Sequence, residues 1–180
     1  DRTGAGDTID AEQLNEPPHW GDSSSNPIDD PNLRVQALID AASRGAHVRL
    51  LLDRYFDVPT ATMSNEATRA YIESLRVTSP TLQSNLEVRL GDPAQYGLHN
   101  KMSLVNIGGR KFVHAGSLNG TETSNKANRE VALQVESAAA YDYLRAMFEY
   151  DWAFQPRVYL PLVMRNYLAP ANHLLVSKVF

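Results

Sequence analysis

Residues 98–115 read Leu98-His99-Asn100-Lys101-Met102-Ser103-Leu104-Val105-Asn106-Ile107-Gly108-Gly109-Arg110-Lys111-Phe112-Val113-His114-Ala115. Polar and apolar residues alternate at both ends of this stretch, which predicts strands over Leu98–Val105 and Lys111–Ala115. Gly108-Gly109 falls between them and predicts a tight hairpin turn, where a missing Cβ lets the backbone turn left-handed. On the first strand side chains alternate, so His99 and Lys101 share a face.

The flanking sequence alternates strand and helix signals. Thr8–Leu14 has a weak strand pattern, with Ile9 and Ala11 set against Asp10 and Glu12. Asn15–Pro31, rich in Pro, Ser, Asp and Asn, reads as a loop. Asp30 as N-cap and Pro31 at the first helical position then predict a helix with Val35, Leu38, Ile39 and Ala42 on one face and Gly45 at its end. Val48–Leu52 reads as a buried strand. Ala67, Tyr71 and Leu75 predict a second helix, stopped at Thr78–Pro80. Leu86, Val88 and Leu90 predict a strand, Glu130–Val135 another, and Ser137 caps a last helix carrying Tyr141, Leu144, Phe148 and Trp152. This order predicts an α/β fold, a mixed β-sheet flanked by helices. Val158–Val163 and Leu174–Phe180 are apolar stretches with no obvious place in that unit.

Composition narrows the function classes. The 180 residues have a formal net charge of −4 and contain no cysteine, which excludes disulfides, thiolate nucleophiles and cysteine–zinc sites. No apolar run approaches the roughly 20 residues of a spanning helix. The first thirty residues hold eight acids against Arg2 alone, whereas His99–Glu130 holds five bases against two acids. An acidic chain with one basic segment suits a compact anion such as phosphate. The first residue is Asp1, so a processed or trimmed chain is expected.

The chemistry concentrates in that basic segment. An ammonium at Lys101 can neutralise a phosphate oxygen while the His99 imidazole attacks phosphorus or protonates a leaving oxygen. Gly116 permits close backbone approach, and Ser117 and Asn119 present a hydroxyl and an amide suited to phosphate oxygens. Glu130, opening a later strand, could bind the second imidazole nitrogen and fix its tautomer. His114, near the Gly-Ser-x-Asn turn, is a candidate to line the pocket. His19, His47 and His173 read as surface residues, and Trp20 and Trp152 as packing residues. No His/Asp/Glu spacing suggests a metal site.

In this order, His99-Asn100-Lys101, Gly116-Ser117-Leu118-Asn119 and Asn128-Arg129-Glu130 resemble the signature of the phospholipase D superfamily: His-x-Lys, four residues, Asp, then Gly-Ser-x-Asn and a later Asn-x-Glu. Arg44–Asp53 is similar to the family's pre-motif strand and follows an Ala-rich helix, as it does there. The likeness runs from Thr8 to Gln155. It implies a phospholipase D-like domain over residues 1–156, with one motif copy, and a C-terminal extension or linker over 157–180. It also implies phosphodiesterase or phosphatidyltransferase chemistry through a phosphohistidine, with His99, Lys101 and Glu130 catalytic, Lys101, Ser117 and Asn119 on the phosphate, and no metal or other cofactor.

The resemblance leaves three points open. The motif Asp is replaced by Asn106, which with Gly116 is expected to be structural support. The family mechanism uses two motifs, so a second is expected from a homodimer or from a missing N-terminal half. The substrate is a phosphodiester, a phospholipid before a nucleic acid. A nuclease of the same superfamily is the nearest alternative, and a non-catalytic phosphate-binding or structural half of a larger protein is the alternative from another class. Val158–Asn166 resembles segments near the ends of secreted bacterial domains, from which an extracellular or periplasmic location is expected.

Overall fold

The structure, a computed structural model, describes residues 2–93 and 95–154. Six strands form one mixed sheet in the order β3-β2-β1-β4-β5-β6: β1 (Thr8–Gln13), β2 (His47–Asp53), β3 (Leu86–Gly91), β4 (Lys101–Ile107), β5 (Arg110–Gly116) and β6 (Ala132–Glu136). β1, β2 and β3 pair in parallel, and β1–β4, β4–β5 and β5–β6 pair antiparallel. Helices α1 (Leu33–Ser43), α2 (Asn65–Thr78) and α3 (Pro80–Asn85) make the parallel crossovers and pack on one face, while α5 (Ala138–Ala153) covers the other. A one-turn helix, α4 (Glu122–Lys126), lies between β5 and β6.

The strand assignments follow from the two faces. Ile9, Ala11, Val48, Leu50, Leu52, Leu86 and Val88 bury against Val35, Ile39, Ile72 and Leu82 of the three crossover helices. Leu51, Met102, Leu104 and Val113 bury against Tyr141, Phe148 and Trp152 of α5. The weak pattern of β1 belongs to a central strand covered on both faces, so Asp10 and Glu12 are buried instead of solvated. Gly108 and Gly109 both have positive φ, 57° and 82°, which fits the two-residue hairpin between β4 and β5.

Several boundaries move. The N-cap of α1 is Asn32, whose side chain accepts from the Arg34 N–H, two residues beyond the expected Asp30. The end of α2 at Thr78 leads directly into α3, with Ser79 as N-cap and Pro80 in the first turn. Strand β4 begins at Lys101, so His99 lies just before it, and β6 begins at Ala132, two residues past Glu130. Val158–Val163 and Leu174–Phe180 lie outside the described residues.

The α5 face carries a buried charge network. Arg49 is 13 % exposed; its Nε donates to Asp10 at 2.7 Å and its two terminal nitrogens donate to Glu149 at 3.0 and 2.7 Å. Its guanidinium lies 4.8 Å from the Phe148 ring centre and 5.4 Å from that of Trp152. Burial works against the cation, and the bonds from Glu149 and Asp10 more than reverse that, so its pKa rises. Breaking such a pair strands a buried charge. Arg49→Ala is therefore expected to destabilise the fold by about 3 kcal/mol in urea unfolding, and the Asp10→Ala/Arg49→Ala double variant to recover part of that loss.

Candidate functional site

The connection from β3 to β4 crosses over β1, so the sheet changes direction at β1 and β4, the kind of switch point where open α/β sheets form clefts. Gln13 at the carboxyl end of β1 pairs with Lys101 at the amino end of β4. His99 stands immediately outside this edge. Its loop is held by Asp53, a fully buried carboxylate at the end of β2 that accepts from the backbone N–H groups of Leu98 and Phe56. Burial raises the Asp53 pKa, and those backbone donors oppose the rise.

Lys101 is 7 % exposed. Its Nζ donates to the His99 carbonyl at 2.8 Å and lies 3.4 and 3.5 Å from the two ring nitrogens of His99. Among the described residues the lysine ion pairs are Lys111–Asp142 and Lys126–Glu122; Lys101 has none. Burial lowers its pKa, and the charge of Glu130, acting from farther off, pulls the other way. A buried ammonium against an imidazole, with no carboxylate in contact, is prepared for an anion.

Asn119 shares a cavity of about 480 Å³ with His99. Its side-chain oxygen is buried with no hydrogen-bond partner among the described residues. The loop that presents it is tightly sewn. Gly120 N donates to the Asn15 carbonyl at 2.7 Å, and the Gly120 carbonyl accepts from Trp20 Nε1 at 2.9 Å and Asn32 Nδ2 at 3.2 Å. Glu16, buried beneath it, accepts from Asn32 Nδ2 at 2.8 Å and Arg34 Nε at 3.1 Å. A Cβ at Gly120 would collide with the Glu16 carboxylate, and one at Gly116 with the Val131 carbonyl and Ala132. Gly116 is thus required by the close passage of the chain entering β6, where Ser117 N donates to the Val131 carbonyl at 2.9 Å.

Ser117 and Glu130 meet across that passage. The Ser117 hydroxyl donates to the Glu130 carboxylate, and Asn128 Nδ2 donates to it at 3.3 Å. These bonds, from Ser117 first, lower the Glu130 pKa and hold it ionised. The expected bond from Glu130 to an imidazole is not among these contacts; the serine and asparagine of its own motif occupy it. His99 and Asn119 thus line one cavity, with the Lys101 ammonium against the His99 ring, and the Ser117–Glu130 pair stands outside the residues that line it.

The remaining histidines differ from one another. His19 is buried, with Nδ1 2.8 Å from the Trp20 carbonyl, contrary to the surface placement expected of it. His47 is exposed near Glu87. His114 pairs with Ser103 on β5 and lines neither cavity adjoining His99; burial, then the Arg34 charge, lowers its pKa. His173 lies outside the described residues. Trp20 and Trp152 are buried packing residues. Sequence reading passed over Asp53, Glu16, Asn32 and Asn65, whose side chain accepts from Glu16 N and donates to the Leu14 and Asp53 carbonyls. Most of their partners are 12 to 88 residues away, so no local spacing marks them.

Residues 25–152 match the family described as cardiolipin synthase, phospholipase D-like domain. Among solved structures, NucT from Helicobacter pylori is similar with a TM-score of 0.56 and 18 % identity, over 81 % of this chain and 78 % of that one. Nuc from Salmonella typhimurium, titled a phospholipase D family member, is similar with a TM-score of 0.53 and 18 % identity, over 82 % and 79 %. Comparison with curated protein sequences gives no match. The two solved structures share the fold, and the family match spans most of the sheet and the whole of the His99 edge: the chain belongs to the phospholipase D superfamily.

Proposed function

We propose that the chain is a phosphodiesterase in which His99 attacks phosphorus. The observation that carries this reading is the buried Lys101 ammonium against the His99 ring. A diester phosphate entering here would meet Lys101 as its counter-charge. The imidazole nitrogen of His99 forms a bond to phosphorus as the bond to the leaving oxygen breaks, giving a phosphohistidine. A second imidazolium, on the far side of phosphorus, gives its proton to that oxygen. The same imidazole then takes a proton from water, whose oxygen displaces His99. Asn119 holds a phosphate oxygen through its amide N–H, and Ser117, whose hydroxyl proton goes to Glu130 in the free protein, turns that proton to a phosphate oxygen when the diester binds. In-line displacement needs both imidazoles, so the second comes from another motif copy, in a homodimer or on the same polypeptide.

The cavity favours a phospholipid. Leu14, Phe56, Val58, Ala61 and Met63 line it together with His99 and Asn119, giving an apolar wall beside a polar one. A second reading, a single-stranded nucleic acid, is favoured by Arg54-Tyr55-Phe56: all three are exposed, a cation followed by two aromatic rings of which Phe56 lines the cavity, the combination on which bases stack.

The expected outcome is hydrolysis of phosphatidylglycerol vesicles in the presence of a chelator. His99→Ala should abolish turnover, and Lys101→Ala should lower kcat/KM by about 10²–10³-fold through lost charge stabilisation. Cleavage of a single-stranded oligonucleotide with vesicles left intact would select the second reading. Activity that needs a divalent ion would overturn the mechanism. Light scattering on the active species should find two motifs per particle; full turnover by a particle with a single His99 would refute the paired arrangement.

A further inference from the structure

Behind the His99 loop, on the α5 side of the sheet, two acidic side chains face each other. Glu12, on β1, is fully buried, and Asp151 belongs to the last turn of α5. Both line a cavity of about 300 Å³ whose other walls include Leu98, His99, Asn100 and Tyr150. Glu12 Oε1 accepts from Asn100 Nδ2 at 2.9 Å, whereas Oε2 is buried and receives no donor among the described residues.

Among the described residues no lysine or arginine is free to pair with them. The neighbours of Glu12 in the sheet are Leu51 on β2 and Met102 on β4. From β2, Arg49 is committed to Asp10 and Glu149; from α5, Arg145 lies 3.7 Å from Asp10 and 3.5 Å from Glu149. Arg89 of β3 stacks over Trp152, 4.1 Å from its ring centre. Lys101 points to the opposite face, and His99, which lines both cavities, is the basic group among the described residues around the pair. A fully buried carboxyl group and a half-buried one facing it, with no lysine or arginine among the described residues beside them, cannot both ionise cheaply, so one proton is held between them. Burial, and then the charge of Asp151, push the Glu12 pKa up to about 8, against the pull of the Asn100 bond.

Asn100 makes this pair matter to the site. It is the residue between His99 and Lys101, and with its amide anchored on the α5 side, alternation sends both neighbours to the other side. We propose that Glu12 and Asp151 form a one-proton latch that anchors Asn100, making Glu12 a positioning residue for His99. When the shared proton leaves, two carboxylates repel across the cavity, the end of α5 is pushed off the sheet, and the Asn100 anchor loosens. The consequence for turnover rests on His99 being the nucleophile; the latch itself does not.

The sign of the pH dependence is fixed. Glu12 holds its proton more tightly folded than unfolded, where it titrates near 4.5. Its contribution is complete below that value and is lost as pH rises towards about 8. Glu12→Gln keeps the acceptor for Asn100 and supplies a permanent donor to Asp151. The test measures Tm from pH 5 to 9 and the His99 ring resonances by NMR, for the unaltered chain and for Glu12→Gln and Asp151→Asn, with kcat profiles beside them. The latch predicts a Tm that falls with pH in the unaltered chain and a distinctly flatter slope in both variants. The His99 resonances should follow a titration near 8 that Glu12→Gln removes. The alkaline limb of kcat should move up by about one pH unit or more in Glu12→Gln, with KM little changed. An unchanged Tm slope and unchanged His99 titration in Glu12→Gln would overturn the proposal. So would an alkaline limb that stays in place, since that limb would belong to Lys101. A chain inactive on every diester would defeat the reading of His99 as nucleophile, while the Tm and NMR measurements would still decide the latch.

Discussion

The arrangement of the site depends on one charge that the fold buries and leaves unmatched. An ammonium taken out of water costs several kcal/mol unless something replaces its hydration. Lys101 receives a carbonyl and the edge of an imidazole, both from His99, and no carboxylate in contact. Every neighbouring device keeps that position fixed. Asp53 pins the loop before it, β1 pins the strand after it, and the Glu16–Asn32–Gly120 bonds pin the loop that carries Asn119. The nearest motif carboxylate, Glu130, is satisfied by Ser117 and Asn128, which keeps it from collapsing onto the lysine. The cost of burying Lys101 is thus carried by packing elsewhere, which leaves its ammonium without a counter-charge in contact among the described residues.

Much of the sheet was legible because its two faces leave a period-2 imprint. Leu86, Val88 and Leu90 on β3, and the hairpin through Gly108-Gly109, needed nothing beyond alternation and turn chemistry. Helix α5 was legible from Ser137 and the spacing of Tyr141, Phe148 and Trp152. β1 was weaker in the sequence than in the structure because a central strand may bury polar residues if partners arrive from elsewhere. Asp10 has Arg49, 39 residues away, and Glu12 has Asn100, 88 residues away. The same nonlocality hid His19 and Glu16, whose burial is set by a polar network instead of by their own surroundings in sequence. At Asp30, two plausible caps competed, and Asn32 won because its amide also reaches Glu16, Pro17 and Gly120.

The site residues were legible as types and order, and less so as partners. His99 and Lys101 share a face as alternation requires, although His99 precedes the strand. Glu130 was assigned to an imidazole on chemical grounds, but the close crossing at Gly116 places the Ser117 hydroxyl in front of it. A local rule cannot foresee that crossing, because it depends on where β6 joins β5.

Asn106 shows how a motif position can change without touching the phosphate site. It lies five residues along β4 from Lys101, about 17 Å at the usual rise of a strand. It faces α5 beside Lys111, its partner on β5. An aspartate there would stand next to that ammonium. Here α5 supplies the carboxylate: Asp142 accepts from Lys111 Nζ at 2.6 Å. The Asn106 side-chain oxygen is buried without a donor, and a full charge in its place would compete with Asp142 for one lysine. Asp142 thus neutralises Lys111 and ties α5 to the far end of β5. Asn106 therefore stands among the contacts that fasten the sheet to its covering helix, away from His99 and Lys101.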